Sequence, residues 1–119
     1  MANARRKGHQ YERDIAIEFR DLGWEDCATS RYASRQRDDE KVDLVETDPF
    51  NIQAKAWKAA PNLHKELSKM PDDGNINLVF HKRPRQGEVV AMTKESFYKL
   101  IKEYLIEKHK NTLLHGEES

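Results

Sequence analysis

The chain of 119 residues has one cysteine, Cys27. A lone thiol excludes an intramolecular disulfide and any cysteine-based zinc cluster, and it fits a reducing compartment, where Cys27 is expected to pack as a small buried residue. No apolar run approaches the ~20 residues that span a bilayer, so no membrane partner is expected. Met1 to Gln10 is basic and lacks an apolar core, which argues against a secretory signal and for a cytoplasmic location. Five histidines, His9, His64, His81, His109 and His115, nowhere take the His-x-x-x-His spacing of a zinc site. There is no Gly-rich phosphate loop, no nucleophile elbow, no internal repeat and no interdomain linker. The length therefore suits one domain over residues 1–119, with a basic arm at 1–7 and a tail at 111–119 expected to be flexible.

An excess of either charge is also missing: 21 basic residues balance 21 acidic ones. The distribution is blocky. Arg5, Arg6 and Lys7 open the chain, and Arg31, Arg35 and Arg37 follow with no acid between Thr29 and Arg37. Asp38, Asp39, Glu40, Asp43, Glu46 and Asp48 then stand against one lysine. Lys55, Lys58, Lys65 and Lys69 come next, and Lys82, Arg83 and Arg85 after them. Such blocks can fold into an acidic pocket rimmed by basic surface, the layout of a metal-dependent enzyme acting on a polyanion. Each block alone also reads as a solvated surface of mixed sign.

Hydrophobic spacing predicts the elements. Tyr11, Ile15, Phe19 and Leu22 give an amphipathic helix over roughly 9–22, stopped by Gly23. Residues 24–32 read as extended, and 34–41 as an exposed polar loop. Strands are expected at 42–47 and 50–57, with Thr47-Asp48-Pro49 as the turn between them. A short helix over 61–70 puts Leu63, Leu67 and Met70 on one face. Ile76, Leu78 and Phe80 alternate in a strand over 75–81, and Pro84 to Gly87 turns it into a return strand over 88–92. Thr93 caps a last helix carrying Phe97, Leu100, Ile101, Tyr104 and Leu105, a stripe for the core or a dimer interface. The order α-β-β-β-α-β-β-α implies an α/β domain, one mixed sheet of about five strands flanked by helices.

Chemistry concentrates in the middle strands. Gln53 and Lys55, two apart, share one strand face, and a neighbouring strand carries Asp43. A carboxylate, an amide oxygen and the Ala54 carbonyl between the two side chains can hold Mg²⁺, which wants oxygen ligands and keeps several waters. Lys55 would then face the attacking water or a scissile phosphate. Glu12 lies at the edge of the first helix's apolar stripe, within reach of the sheet. Its alternative is a plain surface acid making an i,i+4 contact. Trp24 and Trp57 read as core or interface rather than base-stacking platforms, and Lys58, Lys65 and Lys69 as a phosphate track or solvated residues.

Glu12, Asp43 and Gln53-Ala54-Lys55 resemble the PD-(D/E)xK nuclease signature. With Arg6-Lys7-Gly8, Tyr11-Glu12-Arg13, Gly23, Arg31 and Ser34, the stretch from Arg6 to Trp57 resembles the archaeal-type Holliday junction resolvases and their phage relatives. The resemblance implies a restriction-endonuclease-like fold and a homodimeric, Mg²⁺-dependent endonuclease that cuts four-way DNA junctions, with Mn²⁺ as a substitute ion. It puts Glu12, Asp43 and Gln53 at the metal, makes Lys55 the catalytic lysine, and sets Arg31 and Ser34 in a segment that touches DNA. It also implies the cytoplasm of a prokaryotic cell, or of a host if the gene is phage-borne. Two positions depart from the pattern. Val42 replaces the proline, which shapes backbone. Gln53 replaces the acid, which weakens the pull on a cation; Asp38, Asp39 and Glu46 are the candidate acids to stand in for it.

The expected DNA contacts are Arg5, Arg6, Lys7, Arg31, Ser34, Arg35, Arg37 and Lys58, so binding should weaken steeply with salt. A two-fold dimer would match a two-fold junction. Two rival readings remain: a related nuclease acting on linear, nicked or flap DNA, and a non-catalytic DNA-binding protein of the same fold in which Gln53 marks lost chemistry.

Overall fold

Tyr11, Ile15, Ala16 and Phe19 form the buried stripe of the first helix, as their spacing requires. In the computed structural model, which describes residues 2–115, this helix, α1, spans Ala2–Leu22. It starts earlier than its apolar stripe, so Arg5, Arg6 and Lys7 ride on a helix rather than a free arm. Gly23 ends it: at φ 128° it lets the Trp24 N–H reach the Phe19 carbonyl at 2.9 Å. The last helix, α5, spans Lys94–His115, so the expected tail is helical through 115. Met1 and residues 116–119 of the expected arm and tail lie outside the described residues.

Between these helices run β1 (Ala28–Thr29), α2 (Ser30–Ala33), α3 (Arg35–Asp39), β2 (Leu44–Val45), β3 (Phe50–Ala56), α4 (Leu63–Ser68), β4 (Ile76–Arg83) and β5 (Gly87–Ala91). The polar segment expected as a loop over 34–41 is thus largely the short helix α3. It has no apolar stripe to announce it. The Ser34 hydroxyl accepts the Arg37 N–H at 3.3 Å as its N-cap. Thr93 caps α5 as expected, its hydroxyl oxygen accepting the Ser96 N–H at 3.0 Å.

The strands form two ladders. β1 and β2 pair antiparallel, while β3, β4 and β5 form a mixed sheet, parallel between β3 and β4 and antiparallel between β4 and β5. The expected continuous sheet of about five strands is divided between β2 and β3. There the Asp43 N–H donates to the Ile52 carbonyl at 2.7 Å, and the Asp43 side chain takes the next N–H of β3, that of Ala54. A side chain stands where the next ladder bond would fall.

Alternation gives the mixed sheet two unlike faces. Ile52, Ala54, Ile76 and Leu78 join α1, Cys27 and Leu44 in the apolar core, with Phe50, Ala56 and Phe80 at its margin. Each fully buried Ile or Leu there stabilises the fold by about 1.5–3 kcal/mol. The opposite face carries Asn51, Gln53, Lys55, Asn77, Val79 and His81 and meets α4. Asn51, Gln53 and His81 are buried on it. No described helix is long and apolar enough to cross a membrane.

Candidate functional site

Asp43 precedes β2 and is held on three sides. Its N–H bonds to Ile52, its carbonyl accepts the Ser30 N–H at 2.7 Å, and its Oδ2 accepts the Ala54 N–H at 2.8 Å. The carboxylate is fixed against β3 with Oδ1 free of donors among the described residues. The N–H and C=O of one strand residue point to the same edge, so the Ala54 carbonyl opens on the edge where Asp43 sits. Burial pushes the Asp43 carboxyl above its usual range; the Asp38 charge adds to this, and the Ala54 N–H, Lys55 and Arg31 oppose it.

Gln53 is 2% exposed, and its Oε1 has no hydrogen-bond partner among the described residues. A buried acceptor without a donor is costly and uncommon. It shares its strand face with Lys55, whose Nζ stands 3.8 Å from Glu66 Oε1 and 4.9 Å from the centre of the Trp57 ring. Trp57 is neither core nor a free platform; it flanks this lysine.

Glu12 is not a free surface acid. Its Oε1 accepts a hydrogen bond from Arg31 Nη2 at 2.9 Å, and its side chain is largely shielded. Its carboxyl is pushed up to about 7, first by burial, then by the Asp43 charge; Asp38 adds to this, while Arg31 and Lys55 oppose it. Glu12, Asp43, Lys55, Arg31 and Asp38 therefore lie near enough for their charges to act on one another. Of the acids weighed as stand-ins for a charge at Gln53, Asp38 alone bears on both carboxylates.

The expected DNA contacts divide. Arg5, Arg6, Lys7, Arg35 and Lys58 are exposed. Arg5, His9 and Arg13 recur every four residues on α1, with Arg31 across from them. His9 is pushed down by burial and by the charges of Arg31, Arg5 and Arg13, a sign of local positive potential. Arg31 is engaged with Glu12, and the Ser34 hydroxyl is spent on its cap. Arg37 turns inward: Nη2 donates to Asn51 Oδ1 at 2.7 Å, and Nη1 lies 3.3 Å from Asp73 and 3.4 Å from Glu40. It belongs to a polar network with Asn51, Asp73 and Asn77.

Sequence reasoning passed over Glu66, although the signal was present. It sits three residues after Leu63 and four before Met70, on the stripe that faces the sheet, and it is buried. No protein-family model, curated protein or solved structure matches the chain.

The donor atoms fit a hard cation. Asp43 Oδ1, Glu12 Oε2, the Ala54 carbonyl and the orphaned Gln53 Oε1 are all oxygens, the set that Mg²⁺ takes. No group of three or more His, Cys, Asp or Glu side chains stands together among the described residues. An ion here would rest on two carboxylates completed by neutral oxygens.

Proposed function

We propose that the protein is a metal-dependent endodeoxyribonuclease of the PD-(D/E)xK kind, a structure-selective resolvase acting as a homodimer on four-way or other branched DNA in the cytoplasm. The observation that carries the reading is the buried, unpartnered Gln53 oxygen on the strand face of Lys55, beside a carboxylate docked onto the Ala54 N–H. The fold reading that goes with it treats the two ladders as one restriction-endonuclease-like sheet, joined through Asp43 and Ile52. Glu12, Asp43, Gln53 and the Ala54 carbonyl would hold Mg²⁺ or Mn²⁺. When bound, the ion supplies an acidified water and positive charge opposite the phosphodiester.

The remaining steps fall to the chain. Lys55 donates to a non-bridging phosphate oxygen, where negative charge develops. The Ala54 N–H fixes Asp43, and Arg31 fixes Glu12 by one oxygen, leaving the other turned to the reaction. Arg5, Arg6, Lys7, Arg35 and Lys58 track the DNA backbone, with Arg13 added by its place on the α1 stripe. The exposed apolar residues of β5 and α5, among them Val89, Val90, Tyr104, Leu105 and Ile106, support a second copy as partner. A two-fold dimer brings two sites to a two-fold junction.

One observation favours a second reading, a DNA-binding protein of this fold without catalysis: the third ligand is a neutral amide, and among the described residues no group of three or more acids, histidines or cysteines stands together. The test is cleavage of a labelled immobile four-way junction beside a linear duplex of matching sequence, with Mg²⁺ and with EDTA. Paired symmetric nicks on the junction alone, requiring Mg²⁺, are expected. Equal cutting of both DNAs points to a general nuclease. No cutting, with activity gained in Gln53→Glu, points to the silent fold.

A further inference from the structure

Glu66 has no part in that reading. It is 5% exposed, on the face of α4 turned to the sheet. A carboxylate removed from water is costly unless compensated, and an apolar side chain would fill the same stripe without that cost. The compensation comes from two lysines, one on each oxygen: Oε1 lies 3.8 Å from Lys55 Nζ and Oε2 3.3 Å from Lys69 Nζ. The two contacts differ in kind. Lys69, in the next turn, is within hydrogen-bonding distance. Lys55 is beyond it, attracted by charge while its ammonium protons stay available to another acceptor. Trp57, just past the end of β3, flanks that ammonium.

We propose that Glu66 is a positioning residue for Lys55, and that Lys69 lets it release that lysine. Glu66 and the Trp57 ring hold a side chain with four rotatable bonds in one place before substrate arrives, which removes that ordering from the reaction barrier. When a phosphate oxygen takes the Lys55 ammonium, the Glu66 carboxylate keeps its bond to Lys69 and is not left as a bare buried charge. Two lysines against one glutamate also leave the cluster net positive, which suits an incoming phosphate. The identity of that acceptor rests on the nuclease reading; the clamp does not.

The test uses the full chain with Glu66→Gln, Glu66→Asp and Lys69→Met, and two readouts. The first needs no DNA: carbon-13 relaxation of the Lys55 ε-methylene, assigned by its loss in Lys55→Arg, with exposed Lys102 as reference. Lys55 is expected to be more ordered than Lys102, to fall to its level in Glu66→Gln, and to stay ordered in Glu66→Asp, which keeps the charge. The second is junction cleavage. Glu66→Gln should lose at least about tenfold in kcat with KM little changed, and Glu66→Asp should recover part of it. Lys69→Met should leave Lys55 ordered and still slow cleavage, because release then strands the carboxylate. Lys55 as mobile as Lys102 in the parent chain, or unmoved by Glu66→Gln, overturns the proposal. If Glu66→Gln does not fold, Lys69→Met decides it: a loss of Lys55 order, or unchanged cleavage in an active enzyme, overturns it. A parent chain that cuts no DNA refutes the nuclease reading while the relaxation data still decide the clamp.

Discussion

Replacing Arg37 by methionine separates a structural arginine from a DNA-binding one. Methionine keeps most of the stem packing and removes the guanidinium. The bond from Nη2 to Asn51 Oδ1 is short, 2.7 Å, and Asn51 is 0% exposed. A charged donor on a buried acceptor contributes about 1.5–3 kcal/mol. The Asp73 and Glu40 contacts, at 3.3 and 3.4 Å between partly exposed side chains, add about 0–1 kcal/mol each. The expected loss is about 1.5–5 kcal/mol, a large share of the roughly 5–15 kcal/mol that holds a domain folded. Urea unfolding should show a lower midpoint at unchanged slope. The salt dependence of junction binding should stay as it was, because no phosphate contact is removed. If stability holds within about 0.5 kcal/mol while the logarithmic salt slope drops by about one charge, Arg37 lies on DNA and the argument is wrong.

Three further outcomes are expected. Asp43→Asn should fold, since an amide oxygen can still take the Ala54 N–H and the repulsion with Glu12 is relieved, yet lose at least about 100-fold in cleavage rate while keeping junction affinity; retained cutting removes Asp43 from the reaction. Asp73 loses some ionised character to burial, but the hydrogen bonds from Asn51, the Asn75 N–H and Arg37 outweigh that and hold its carboxyl below its ordinary 3.8. Its stabilising contribution is therefore complete above about pH 4 and lost as pH falls through the depressed value; acid unfolding should be blunter in Asp73→Asn, and an identical acid limb contradicts the network. On α5, Leu105 and Ile106 are more than half exposed, so changing both to lysine should shift light-scattering mass from twice 14.0 kDa to 14.0 kDa with little change in helix content; a parent chain already at the lower mass removes the dimer.

The fold was legible where burial is one-sided. The stripe of α1, the alternation of β4 and the Pro84–Gly87 turn follow from spacing and turn chemistry alone. Legibility failed where polar contacts rather than apolar periodicity decide the conformation. Residues 34–41 carry no apolar stripe, so the helix α3 is invisible until Arg37 meets Asn51 and Asp73 across the fold. Expected extended segments shrank to the two-residue strands β1 and β2 because neighbouring backbone groups are taken by Asp43 and Ser30, partners that no local pattern announces.

The site divides along the same line. Gln53 and Lys55 share a face by the period of a strand, and one turn returns the chain so that Asp43 meets the Ala54 N–H between them; both follow from strand period and turn chemistry. What the sequence hides is how each cation is spent. Arg31, Arg35 and Arg37 look equivalent as a basic block, yet one fixes Glu12, one stands exposed and one, itself partly exposed, is tied into a network with the buried Asn51. Charge counting gives all three the same weight, whereas the burial of their partners does not. The same reasoning raises Glu66 from a residue on a polar helix to a partner of Lys55. Its place on the α4 stripe meant that it had to be buried, and a buried carboxylate needs a cation. Lys55, on the strand face that α4 covers, stands where such a cation is needed.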